Sequence, residues 1–156
     1  MINKDNFKAL LIHLGFEEKG KIFTKNFDSG CHLSANFKKE ELLYPESEGL
    51  RINEKQTCNF SSAENAVVFE CVHKLLEKGY KPKHIELEPK WKVGHGASGG
   101  RADILVKDQK EKPLLIIECK TYGKEFDKAW KETLDDGGQL FSYAQQIAET
   151  EFLCLY

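Results

Sequence analysis

The 156 residues contain no C-x-x-C pair, no internal repeat and no low-complexity tract, and no apolar run approaches the roughly 20 residues that a membrane-spanning helix needs. Nothing at the N-terminus has the charged, apolar and small-residue order of a signal peptide. A cytoplasmic protein without a membrane segment is therefore expected. The five cysteines (Cys31, Cys58, Cys71, Cys119, Cys154) are odd in number and scattered, mostly within apolar patterns, so they read as small buried hydrophobes. Neither a disulfide framework nor a zinc site is indicated, since none of His13, His32, His73, His84 and His95 has a partner at zinc-ligand spacing. Charge of one sign is also missing. With 23 Lys and Arg against 25 Asp and Glu the net charge is −2, which excludes a protein that holds nucleic acid by bulk positive charge.

What is present fits one domain with a real core and a small appendage. Asn3 to Leu14 predicts a short amphipathic helix, capped by Asn3 or Asp5 and ended by Gly15. Lys21 to Phe27 and Cys31 to Phe37 alternate as two strands about the turn Asp28-Ser29-Gly30, and Leu50-Arg51-Ile52 suggests a short third. Ser61-Ser62-Ala63-Glu64 is a capping-box signature, and Val67, Val68, Cys71, Val72, Leu75 and Leu76 form an apolar arc that stops at Gly79. His84 to Val93 then reads as a strand, followed by the glycine-rich Gly94 to Gly100. That loop lacks the spacing and the Lys-Ser/Thr of a phosphate-binding P-loop and reads as a flexible connection.

Two further strands follow, Arg101 to Val106 and Leu114 to Lys120, joined by a polar turn. Side chains in a strand alternate between two faces, so Glu118 and Lys120 share one face with Ile116, and Cys119 points to the other. A hairpin centred between Lys110 and Glu111 sets Asp103 opposite Glu118, Leu105 opposite Ile116, and Lys107 opposite Leu114. Directly opposed carboxylates destabilise each other unless a cation offsets them. Mg²⁺, a hard ion bound through one or two carboxylates, waters and phosphate oxygens, suits such a pair. After the hairpin, Phe126, Trp130 and Leu134 recur at helical spacing up to the break Asp135-Asp136-Gly137-Gly138. A second helix is expected from Gln139 to about Ala148, with Leu140, Tyr143, Ala144 and Ile147 on its stripe. Gln139 and Tyr143 lie one turn apart on one face. Glu151 to Tyr156 reads as an apolar strand without a polar tail, which suggests a fragment of a longer chain.

The pattern Asp103, fourteen residues, Glu118-x-Lys120, followed by Gln139-x-x-x-Tyr143 in the next helix, resembles the PD-(D/E)xK nuclease superfamily. Ala102 stands where the motif's Pro would be. The segments Glu64 to Glu70, Gly99 to Ile104 and Gly138 to Tyr143 are similar to the N-terminal nuclease domain of type I restriction subunits and single-chain restriction–modification enzymes. The resemblance implies an α/β fold, a restriction-endonuclease-like αβββαβ core with a mixed central sheet in residues 61–156, beside an α+β appendage in residues 1–60. It implies a Mg²⁺-dependent endonuclease, with Mn²⁺ as a substitute ion, acting on double-stranded DNA. Asp103, Glu118 and Lys120 would be catalytic; Asp103, Glu118, the Cys119 carbonyl and Glu70 would hold metal; Gln139, Tyr143 and Arg101 would contact DNA. For Glu70 the bland alternative is an ion pair with Lys74 at i+4, and for Arg101 an edge-solvated arginine. The partners implied are helicase-like and adenine methyltransferase regions of the same enzyme. The competing reading is a module that keeps the nuclease fold and binds without cutting.

Overall fold

A computed structural model describes residues 3–90, 101–147 and 149–156. The chain opens with helix α1 (Lys4–His13), whose first turn is closed by Asn3. The Asn3 side chain accepts from the Asp5 and Asn6 amides, and the Asn6 side chain accepts in turn from the Asn3 amide. Strands β1 (Glu17–Lys19), β2 (Ile22–Asn26), β3 (His32–Asn36) and β4 (Glu41–Leu43) form an antiparallel meander in that order. The two strands expected about Asp28-Ser29-Gly30 pair in register from Ile22 opposite Asn36 to Asn26 opposite His32. The flanking β1 and β4 are three residues each, too short for their alternation to stand out in sequence.

The predicted third strand departs from expectation. β5 (Arg51–Ile52) does not extend the meander; it lies parallel to β6 (Ile85–Leu87), at the edge of a second sheet. That sheet runs β5-β6-β7-β8-β9, with β7 (Ile104–Lys107) antiparallel to both neighbours. Strand β9 (Phe152–Leu155) is parallel to β8 (Pro113–Glu118). The sheet is mixed and the fold α/β. Strand β6 is shorter than the reading from His84 to Val93. Pro82 starts a 3-10 turn through His84, and after Leu87 the chain enters a left-handed conformation at Glu88 (φ 49°) with Pro89 beyond. Residues 91–93 and the Gly94–Gly100 loop lie outside the described residues.

Helix α2 (Ala63–Glu77) joins the two sheets. It begins one residue later than the capping signature suggests: Ser62, not Ser61, is the cap and accepts from the Glu64 amide at 3.1 Å. Its buried arc is wider than the predicted stripe, because both sides are covered. Phe69 meets Phe7, Phe16 and Tyr44 from the N-terminal part, while Cys71 lies beside Cys119 at the end of β8. One hydrophobic core therefore includes Leu11, Phe23 and Leu33 together with Ile104, Val106 and Ile117. A smaller core on the opposite face of the second sheet gathers Ala102, Leu105, Ile116, Leu140 and Tyr143. Burying a side chain of this size stabilises by about 1.5–3 kcal/mol, so this layer is what fixes the last helix to the sheet.

That last helix, α4 (Gly138–Gln146), follows α3 (Lys124–Asp136) across Gly137, whose φ of 86° ends one helix and starts the next. A Cβ on Gly137 would stand 2.7 Å from the Phe141 Cβ, so the break requires glycine for space as well as for backbone. Leu140 and Tyr143 are buried as the stripe predicts. In α3 no residue is buried, and Trp130 and Leu134 are exposed. No helix among the described residues is long and apolar enough to cross a membrane.

Candidate active site

Antiparallel pairing sets Ile104 opposite Ile117 and Leu105 opposite Ile116, which carries Asp103 and Glu118 to adjacent places where the ladder ends. The far end of the hairpin is shifted. A bulge between Val106 and Lys107 pairs Lys107 with Pro113 instead of the expected Leu114. The shift leaves the Asp103 end untouched. Beyond the ladder, the Cys119 amide donates to Asp103 Oδ2 at 2.6 Å. Cys119 lies one residue past the end of β8. Its thiol is fully buried in the core, as the alternation predicts. On the other side, the Lys120 amide donates to the Tyr156 carbonyl and the Tyr156 amide to the Glu118 carbonyl, both at 2.9 Å. The strand end that carries Glu118 and Lys120 is thus held from both sides.

The charges around it do not balance. Lys120 Nζ donates to Glu118 Oε1 at 2.6 Å and stands 3.6 Å from Glu64 Oε2. Burial, then the Glu118 charge, push the Asp103 carboxyl up to about 7 against the Cys119 hydrogen bond. Glu118 is also raised, by burial first, although the bond from Lys120 opposes it. Its Oε2 is buried without a hydrogen bond. For Lys120, burial disfavours the ammonium, but Glu118, Glu64 and Asp103 together outweigh burial and hold its pKa above the ordinary value. One cation faces three carboxylates.

Helix α4 closes the site from the side. The buried Tyr143 hydroxyl donates to the Arg101 carbonyl at 2.9 Å and also acts to keep Glu118 ionised. It is raised by burial, then by Glu118 and Asp103. Tyr143 therefore packs under the carboxylates, out of contact with solvent. Gln139, one turn earlier, is exposed. Arg101 is exposed and is engaged within the chain by Glu54, by Gln56 at 2.7 Å and by Glu88 at 3.9 Å. Glu70 pairs with Lys74 at 3.1 Å, the bland alternative at the sequence level.

The acidic residue that α2 sends to the site is Glu64, which the sequence reading assigned to capping. Six residues separate it from Glu70, about 240° around a helix at 100° per residue, so the two do not share a face. The first turn of α2 sits over the end of β8, where Lys120 lies. With Ser62 as the cap, Glu64 is the second residue of the helix, not the third that a capping box uses. Among the described residues no group of three or more His, Cys, Asp and Glu side chains is gathered closely enough to hold a metal ion by itself.

Residues 63–155 match the protein family described as "Type I restriction enzyme R protein N terminus (HSDR_N)". The match spans strands β6 to β9 of the second sheet, both carboxylates, Lys120 and the helix carrying Gln139 and Tyr143. No curated protein matches the chain. With more than half of its length matched, this chain belongs to the family of type I restriction enzyme R protein N termini.

Proposed function

We propose that this domain is a divalent-cation-dependent DNA endonuclease of a restriction system, a PD-(D/E)xK nuclease with Asp103, Glu118 and Lys120 at its centre. One observation carries the reading: the buried Glu118 carboxylate and the half-buried Asp103 carboxylate stand side by side with a single lysine, and Glu118 Oε2 has no hydrogen bond. An uncompensated buried charge is costly, and functional sites are where such costs gather.

The residues fit a hard cation. Asp103, Glu118 Oε2 and the Cys119 carbonyl would offer oxygen donors only, and water and phosphate oxygens would complete the shell, as Mg²⁺ prefers. Two protein carboxylates suffice for such an ion, which reconciles the site with the lack of a three-residue cluster among the described residues. A bound Mg²⁺ or Mn²⁺ would supply Lewis-acid polarisation of the phosphoryl oxygen and lower the pKa of water. Lys120, held as an ammonium, donates hydrogen bonds toward the reacting phosphate and offsets its developing negative charge; it does not take a proton. Glu64 holds Lys120 in place from the helix side. Tyr143 orients Glu118 and ties Arg101 to the same layer. Gln139 faces outward from α4 and would hold the DNA backbone. Helicase-like and adenine methyltransferase regions would supply target recognition and ATP or methyl-donor coupling.

Nicking of supercoiled plasmid by the protein with Mg²⁺ or Mn²⁺ tests this. Cutting that disappears with EDTA and with Asp103→Ala supports it. DNA binding without cutting under any divalent ion would favour the non-cleaving module instead.

A further inference from the structure

A second concentration of charge, of the opposite sign, lies at the other end of the β7–β8 hairpin. The segment after α2, the 3-10 turn Pro82–His84 and the hairpin turn enclose an open cleft of about 930 Å³. Lys78, Lys81, Lys83 and Lys107 line it with His84, against one carboxylate, Asp108. Two of these charges are already committed. Lys107 donates to Glu86 at 2.7 Å, and Asp108 accepts from the Lys110 and Lys112 amides at 2.7 and 2.8 Å, closing the hairpin turn. Lys78, Lys81 and Lys83 are exposed and make no ion pair among the described residues. His84 is 9% exposed, and its Nε2 has no hydrogen bond. Lys78 caps α2, where a cation complements the helix dipole. Lys81 and Lys83 lie beyond the helix and have no such explanation.

In a chain with net charge −2, three unpaired lysines around one cleft are a local surplus. We propose that this cleft binds the phosphate backbone of duplex DNA flanking the cut site; the choice of DNA as the polyanion rests on the nuclease reading above. Four residues separate Asp103 from Lys107, about 13 Å at the rise of a strand, which corresponds to roughly four base steps at 3.4 Å. A duplex seated at the carboxylates and running along the hairpin reaches the cleft within half a helical turn. The site would add affinity without sequence preference, because phosphate contacts position the duplex and base contacts specify it.

The test is anisotropy titration of a 24-base-pair duplex with the full chain, in EDTA so that no cleavage enters, across a range of salt. For Lys78→Gln/Lys81→Gln/Lys83→Gln the slope of log K against log salt should fall in magnitude by about 2.7, about 0.9 per lost contact. Low-salt affinity should fall at least tenfold. The control Lys19→Gln/Lys38→Gln/Lys39→Gln removes as many exposed charges elsewhere and should leave the slope near wild type. Equal slopes in wild type and the cleft variant, or no binding by wild type at the lowest salt, would overturn the proposal. Tighter binding of polyglutamate than of duplex at matched salt would assign the cleft to an acidic protein and overturn it too. A wild type that binds with the predicted slope yet never nicks plasmid would sink the nuclease reading and leave the cleft standing.

Discussion

Glu86 and Glu118 sit in the same sheet, each bonded to a lysine two strand positions or one strand away, and their surroundings act in opposite directions. Glu86 is balanced: burial works to raise its pKa, but Lys107 at 2.7 Å, Asn53 at 2.8 Å and Arg51 outweigh burial and hold it low. Glu118 has Lys120 at 2.6 Å and is still raised, because it is more deeply buried and Asp103 and Glu64 draw on the same cation. The first arrangement is what a fold needs to carry a carboxylate in a sheet. The second gathers three carboxylates about one lysine, and the proposed cation site lies at that end of the sheet.

The largest way to break the contrast is through chemistry. Asp103→Ala, Glu118→Ala and Lys120→Ala should each lower plasmid cleavage by at least about 10²-fold, the scale seen when one transition-state contact is lost. Glu86→Gln should leave the rate near wild type, as judged by nicking assays at equal folded concentration. Full activity in Lys120→Ala would place the catalytic centre elsewhere.

Stability sharpens the contrast with opposite signs. In metal-free protein Asp103 sits at about 7 and an unfolded Asp near 3.9. The unfolded chain therefore ionises first as pH rises. Asp103 leaves stability intact below about pH 4 and reduces it progressively up to about pH 7, by an amount on the order of 2–4 kcal/mol. Asp103→Asn in EDTA should recover much of that loss at pH 8, because Asn Oδ1 still accepts the Cys119 amide. Glu86 has a lowered pKa, so its contribution is present at neutral pH and lost on acidification. Glu86→Gln should destabilise by about 1–3 kcal/mol, leaving Lys107 short of its partner. Urea titrations of both variants at pH 5 and pH 8 check the two signs together.

Smaller effects separate the supporting residues. Tyr143→Phe removes one buried hydrogen bond to the Arg101 carbonyl and should cost about 1 kcal/mol, with a rise in the Glu118 pKa readable by carboxylate NMR. Glu64→Gln should lower cleavage more than Glu70→Gln, since only Glu64 lies beside Lys120. Equal effects of the two would remove the helix from the site.

These outcomes also divide what could be read from sequence from what could not. The alternation of Leu105 with Asp103, and of Ile116 with Glu118, was sufficient to bring the carboxylates together, because a period of two leaves one register for a half-buried hairpin. The bulge at Lys107 was not legible, since it depends on Asp108 closing the turn through two backbone amides. Arg51 and Ile52 carried no sign of which sheet they would join; that choice is made by β6, more than thirty residues away. The partners of Arg101, Glu54 and Gln56, were not legible because they are distant in sequence. Glu64 was obscured by a local pattern, the capping box, that competed with its tertiary contact with Lys120. Local periodicity carried the ladder, and long-range charge pairing carried the rest.

The central claim is that the surplus charge at Asp103 and Glu118 exists to hold a divalent cation, and Mn²⁺ titration by calorimetry tests it most directly. Wild type should bind Mn²⁺ with release of protons at pH 6, since Asp103 must ionise to bind, and should gain thermal stability in proportion. Asp103→Asn should abolish both the heat and the stabilisation, while Glu86→Gln keeps them. Equal Mn²⁺ binding by wild type and Asp103→Asn would contradict the account.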